Sequence, residues 1–231
     1  MKIGIFTDSH YSSQTITCGN RYNSLSLSKI KEACRFFKTN CCDLILSLGD
    51  LIDREDTHEK EIDNLKEVAQ VIHACKIPTL CVMGNHDAFA FVPEEFYGIL
   101  QGCRPKNMSV GDKHLLFLDA CYFRSGAHYT PAGGDWTDTY FPFTEELDKE
   151  IQSRNGDVYI FMHQNIDPAV MENHCLGNAA ELRELFERSG KVRRVYQGHY
   201  HPGCRSLHNG IDYITYPAMC ERDGAYFIMD M

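Results

Sequence analysis

The sequence predicts an α/β fold, in which buried strands of a parallel or mixed sheet alternate with amphipathic helices. Three observations lead there. Short apolar runs such as Leu44-Ile45-Leu46-Ser47-Leu48 are bounded by turn signals, the pattern of strands covered on both faces. Between them lie stretches with helical spacing of apolar residues, and strand–helix alternation implies right-handed crossovers. The runs also end alike, on polar side chains that often follow glycine, and open α/β sheets present ligands at the carboxyl ends of their strands.

Residues 2–7 form the first strand and lead into Asp8-Ser9-His10. In extended chain, residues two apart share a face, so Asp8 and His10 offer an oxygen and a nitrogen to one side. Residues 11–24 are polar and read as a loop, and residues 26–40 carry Leu27, Ile30, Ala33, Cys34 and Phe37 on one helical face. The second strand, 44–48, stops at Gly49 and delivers Asp50, with Asp53 and Arg54 just beyond. Taken alone, Gly49-Asp50 reads as a turn with Asp50 as a helix N-cap. Residues 57–75 are a second helix whose stripe of Ile62, Leu65, Val68, Ala69 and Ile72 is core. The third strand, 79–83, ends at Gly84-Asn85-His86-Asp87.

Residues 93–100 read as a short helix, and 107–110 and 114–119 as short strands. The stretch 121–143 is long and aromatic and includes Gly133 and Gly134; it is either a substrate lid or a surface loop pinned by its rings. Residues 144–153 form a helix with Thr144 as N-cap, and the strand 157–162 ends at His163. After a helix at 178–189, the strand 193–197 ends in Gly198-His199-Tyr200-His201. Antiparallel strands at 204–208, 212–216 and 226–229 close a single domain spanning 1–231.

A chain of 231 residues, 43% hydrophobic and 24% charged, suits one globular domain. Its net charge of −9 argues against nucleic acid or an anionic membrane as partner, both of which need a basic field. A phosphate-bearing substrate stays possible, because divalent cations reverse the local sign. None of the 11 cysteines stands in a Cys-x-x-Cys pair, and Cys34, Cys75, Cys81 and Cys121 lie in apolar contexts as small hydrophobes. The start runs directly into a strand with no signal-peptide core, and no apolar run approaches the ~20 residues of a membrane span. The expectation is a cytoplasmic protein.

Five strand ends therefore carry metal-ligating or titratable groups: Asp8/His10, Asp50/Asp53, Asn85/His86, His163 and His199/His201. Singly, each reads as a hydrogen-bonded structural residue. Together, at successive ends of one sheet, they can converge. Carboxylate, imidazole and amide donors without thiolate suit Mn²⁺, Fe²⁺, Zn²⁺, Co²⁺ or Ni²⁺. Seven ligands exceed what one Zn²⁺ takes and fit two ions ~3.5–4 Å apart that share a carboxylate. His58, His73, His114 and His208 lie off this pattern, His128 and His174 stand in loops that either reach a substrate or, as the main expectation, lie at the surface, and the loop 167–178 could line a pocket.

In this order, Asp8/His10, Gly49-Asp50/Asp53-Arg54, Gly84-Asn85-His86-Asp87, His163 and Gly198-His199/His201, the chain resembles the calcineurin-like metallophosphoesterase superfamily across residues 8–201. The resemblance implies a four-layer α/β/β/α sandwich of two mixed sheets flanked by helices, and a dinuclear centre with Mn²⁺ as the first candidate. It implies that Asp8, His10 and His201 hold one ion, Asn85, His163 and His199 the other, and that Asp50 bridges them. A metal-bridging hydroxide would attack phosphorus, with His86 as general acid oriented by Asp53. Arg54 would clamp a phosphate oxygen, or else pair with Asp53, Glu55 or Asp56.

Departures from the family pattern narrow the type. Asp53 replaces the tyrosine ligand of purple acid phosphatases, and Met83 and Glu55 depart from the Ser/Thr protein phosphatases. No capping-domain sequence or basic surface marks a DNA-repair nuclease. What remains resembles small phosphodiesterases and nucleotide pyrophosphatases acting on a small phosphodiester, phosphomonoester or nucleotide. The alternatives are a catalytically silent scaffold of the same fold and a nuclease.

Overall fold

The apolar runs are buried on both faces because each sheet is covered by helices on one side and by the other sheet on the other. The computed structural model describes residues 1–129 and 135–231. In chain order its first half comprises β1 (Lys2–Phe6), α1 (Ser26–Thr39), β2 (Leu44–Ser47), α2 (His58–Cys75), β3 (Thr79–Cys81), α3 (Asn85–Ala90) and α4 (Pro93–Ile99). The second half comprises β4 (Met108–Val110), β5 (Lys113–Leu118), α5 (Thr144–Ser153), β6 (Asp157–Met162), α6 (Ala179–Ser189), β7 (Val192–Gln197), β8 (Cys204–His208), β9 (Ile211–Thr215) and β10 (Tyr226–Asp230).

One sheet has the order β10-β1-β2-β3, the other β4-β5-β6-β7-β9-β8. The expected α/β sandwich of two mixed sheets is therefore present. Strand alternation divides the core accordingly. Ile3 and Ile5 of β1, Leu44 and Leu46 of β2, Tyr159 and Phe161 of β6 and Tyr196 of β7 fill the space between the sheets. Phe6 and Ile45 point the other way, onto α1 and α2 residues such as Phe37, Val68 and Ile72. Val158, Ile160, Met162 and Val195 meet Leu182, Leu185 and Phe186 of α6. At Gly4 a Cβ would lie 2.5 Å from the Phe37 ring, so glycine lets α1 sit flat on β1.

Several expectations need correction. The strand ends converge from two sheets rather than one. The terminal strands do not simply close one sheet: β8 is antiparallel to β9, β9 is parallel to β7, and β10 returns to pair antiparallel with β1. Thr144 is not the N-cap of α5; Phe143 occupies that position without a side-chain cap, and the Thr144 hydroxyl donates to Glu181. Thr57, in contrast, caps α2 by accepting from the Lys60 N–H. In the stretch 121–143, Tyr122 pairs with His128 and Tyr140, while residues 130–134, with Gly133 and Gly134, lie outside the described residues. No described helix is long and apolar enough to cross a membrane.

Candidate metal centre

The loops after β1, β2 and β7 hold their polar residues by an uncommon backbone. Asp8, His10, Asp50 and His199 have φ of 52°, 44°, 53° and 66°. Non-glycine residues in this left-handed region cost of order 1–3 kcal/mol each and persist only where the surroundings over-determine them. Here the Asp8 N–H donates to the Gly49 carbonyl (3.0 Å) and the His10 N–H to that of Asp50 (2.9 Å). Buried Asp87 ties the turn after β3 to the loop after β2: its carboxylate accepts from the N–H groups of Asp50, Leu51, Ile52 and Gly84 at 2.8–3.3 Å. The glycines permit close approach. A Cβ on Gly198 would lie 2.2 Å from the Thr7 hydroxyl and 2.7 Å from Asp8 Oδ2.

Two groups of donors result, and Asp50 touches both. In the first, His10 Nε2 is 3.1 Å from His201 Nε2, 3.6 Å from Asp8 Oδ1 and 3.5 Å from Asp50 Oδ2. In the second, His163 Nε2 is 3.2 Å from Asp50 Oδ2 and 3.1 Å from Asn85 Oδ1, and Asp50, His163 and His199 offer donors within 4.8 Å of one another. Donors bound at ~2.0–2.2 Å to one tetrahedral ion stand about 3.3–3.6 Å apart, so the spacing fits divalent cations. Two further features fit. Asp8 Oδ1 is buried with no hydrogen-bond partner, and the facing Nε2 atoms of His10 and His201 cannot both carry a proton.

The outward nitrogens are oriented from behind. His163 Nδ1 faces the Leu48 carbonyl at 2.8 Å and His201 Nδ1 faces Glu221 at 2.5 Å, which leaves Nε2 of each ring for the site. Burial opposes charge on His163, but the Asp50 and Asp8 carboxylates outweigh it and push the imidazole up to about 9. Burial and the charge of His86 push His10 down to about 4, and burial with the charge of His163 pushes His199 down to about 3. Asp8 and Asp50 are held well below the usual carboxylate range; burial works against this and the charge of His163 dominates. Cys220 also lies close to His10 and His201, but burial and the Asp8 carboxylate push its thiol up and keep it neutral.

The structure brings His86 and Asp53 together, with Nδ1 2.9 Å from Oδ1. Burial disfavours the Asp53 carboxylate, yet its bond with His86 holds it well below the usual range. Asn23 and Thr17 donate to its other oxygen at 2.9 and 3.0 Å. Arg54 stands apart. Its guanidinium lies 4.7 Å from the centre of the Phe89 ring, and only its backbone N–H meets Asp53. Glu55 instead engages Ser13 and Asn64, and Asp56 engages Lys60.

Arg21, from the polar loop after β1, brings a cation to the His86 ring, with Nη1 3.5 Å from His86 Nε2 and 3.6 Å from Asp53 Oδ2. Arg21 and Glu221 had no signal in the sequence; Asp87 stood in the Gly84-Asn85-His86-Asp87 motif without an assigned role, and Trp136 was one of the aromatic residues of the stretch 121–143. His174, expected at the surface, lines the cleft, with its ring 5.8 Å from that of His199 and 5.0 Å from that of Trp136. Met171, from the loop after His163, lines it too. His128 instead pairs with Asp119, away from the cleft.

Comparisons with known proteins show the family and the fold. A family profile described as calcineurin-like phosphoesterase matches residues 1–203. A cyclic-nucleotide phosphodiesterase of Nostoc is 26% identical over 183 residues, a match covering 77% of this chain and 63% of that protein. A cyclic-AMP phosphodiesterase of Haemophilus influenzae is 27% identical over 204 residues, covering 84% of this chain and 68% of that one. The match thus spans about two thirds of the length of these relatives. Among solved structures, a dimetal phosphatase from Danio rerio superposes with a TM-score of 0.81 at 18% identity, over 96% of this chain and 88% of the other.

Proposed function

The chain belongs to the calcineurin-like phosphoesterase family, and from that premise we propose that it is a metal-dependent hydrolase of a small phosphoric ester. The observation that carries the proposal is the position of Asp50 Oδ2, 3.5 Å from His10 Nε2 and 3.2 Å from His163 Nε2, between two sets of donors. Asp8, His10 and His201 would hold one divalent ion, Asn85, His163 and His199 a second, and Asp50 both. Mn²⁺ is the first metal to test, since oxygen and imidazole donors without thiolate equally admit Fe²⁺, Zn²⁺, Co²⁺ and Ni²⁺. When bound, such ions supply a water of lowered pKa and offset charge on the phosphoryl oxygens.

The chain's own residues do the rest. Asp53 holds His86 by Nδ1, so that Nε2 is the nitrogen left to give a proton to the leaving oxygen. Arg21, beside that nitrogen, is placed to meet a phosphoryl oxygen with a charged hydrogen bond. Leu48, Glu221 and Asp87 fix the imidazoles and the Asp50 loop before substrate arrives. The relatives named for cyclic nucleotides support a small phosphodiester as substrate. The intact His86–Asp53 pair speaks against a silent scaffold, and the net charge of −9 against a nuclease. Eleven unpaired cysteines support a reducing, cytoplasmic setting.

The test is turnover of aryl phosphomonoesters and diesters, each crossed with Mn²⁺, Fe²⁺, Zn²⁺, Co²⁺ and Ni²⁺. Asp50→Asn should lower it by about 10²-fold or more with every metal. Undiminished turnover in that variant sinks the proposal.

A further inference from the structure

Two cavities open off the site, and His86 stands between them. The larger, about 490 Å³, runs past Arg21, His174 and Tyr200. The smaller, about 300 Å³, is lined by Arg54, Phe89, Tyr129 and the carboxylate of Asp135. Asn85, His86 and Trp136 border both. Each side therefore has one guanidinium, carboxylate and aromatic surface, but the two arginines are engaged differently. Arg21 is mostly buried and its charge already faces Asp53 at 3.6 Å. Arg54 is exposed, lies over the Phe89 ring, and has no carboxylate within ion-pair distance among the described residues. An arginine laid on a ring with its fork free is a ready receptor for an anion.

We propose that the Arg54–Phe89 cavity is a subsite for a second anionic group of the substrate. The preferred substrate class is then an acyclic phosphoric diester or anhydride carrying an anion beyond the scissile phosphoryl group. This rests on the phosphoesterase reading above. A monoester has one organic substituent and fills one side of His86. A cyclic diester turns both ester oxygens back into one ring and likewise occupies one side. A substrate with a separate substituent on each side uses both cavities and brings charge to Arg54. In hydrolysis, water adds to phosphorus, the bond from phosphorus to the leaving oxygen breaks, and that oxygen takes the proton of His86.

The experiment compares kcat/KM of the Mn²⁺-loaded protein for diadenosine diphosphate, cyclic AMP and p-nitrophenyl phosphate. The anhydride should exceed each of the others by about tenfold or more. Arg54→Ala should lower that preference by about tenfold, chiefly through KM, with Arg54→Lys and Phe89→Leu falling between. Arg54 is exposed, so the fold should tolerate its loss. A preference for the monoester or the cyclic ester overturns the subsite, as does an Arg54→Ala variant that scales all three substrates equally. Wild-type protein that turns over none of them overturns the phosphoesterase reading as well, which separates the two failures.

Discussion

The buried donor cluster and the rim of the cleft face each other across His86, and they are built by opposite means. In the cluster, Asp8, His10 and His163 are wholly inaccessible, four residues sit in left-handed backbone, and one carboxylate, Asp87, collects four N–H groups. At the rim, Trp136 is 37% exposed and Met171 56% exposed, and Arg54 rests on a single ring. A site that assembles like-charged carboxylates needs every atom held, because misplaced ligands lose the cation. A rim that selects among substrates can be changed residue by residue. The two regions should therefore respond to substitution very differently.

The sharpest contrast is between two glycines. A Cβ on Gly84 would lie 2.1 Å from Asp50 Oδ1 and 2.4 Å from the Asp50 backbone nitrogen, which no rotamer change relieves. Gly84→Ala should therefore displace the Asp50 loop, and misplacement on that scale costs about 10²-fold or more in turnover. Elemental analysis should show less bound metal per chain. Gly98, in α4, has no atom within 4 Å of the added carbon, and Gly98→Ala should match wild type in activity and be slightly more stable. Normal metal content and turnover in Gly84→Ala would erase the distinction between a rigid cluster and a tolerant rim.

A smaller effect follows from proton competition inside the cluster. His163, raised to about 9, carries a proton at neutral pH, and its Nε2 can ligate only after losing it. His10 and His199, lowered to about 4 and about 3, are already neutral there. Burial opposes charge on His201, but the Asp8 carboxylate raises it as well, so metal uptake should release at least one proton, and apparent Mn²⁺ affinity should fall roughly tenfold or more per pH unit as pH drops from about 8 to 6. Calorimetry in buffers of different ionisation enthalpy measures the proton directly. His163→Gln should flatten the dependence, and a flat profile in the wild type would remove His163 from the ligand set.

What was legible in the sequence follows the same division. Apolar runs marked the strands because each is covered on both sides, and the residues after them announced the donors. The second sheet was not visible in those runs, since a strand facing another sheet and one facing helices are equally apolar; it came from family resemblance. Asp87 was visible beside His86, but its service to the Asp50 loop depends on backbone groups 35–37 positions away. Arg21 and Trp136 come from loops whose paths no periodicity encodes. Arg54 was found as a residue, but its partner, the Phe89 ring, follows from α3, a helix that begins at the ligand turn and had no separate signal.

The smallest expected effect belongs to Trp136, and it probes the rim alone. Its ring is 5.0 Å from His174 and 5.5 Å from His199, so it borders the donor cluster without bonding to it. The turn that carries it is secured independently, since Asp135 accepts from the Thr137 N–H. Trp136→Ala should leave metal content and thermal stability close to wild type. Aromatic contacts contribute ~0.5–1.5 kcal/mol, so KM for a substrate with an aromatic group should rise roughly two- to tenfold, with Trp136→Phe recovering most of the loss. Measured KM and kcat separate the possibilities. A rise in KM alone places Trp136 on the substrate. A fall in kcat with loss of metal would mean that the ring props His199, and that the rim and the cluster are a single mechanical unit.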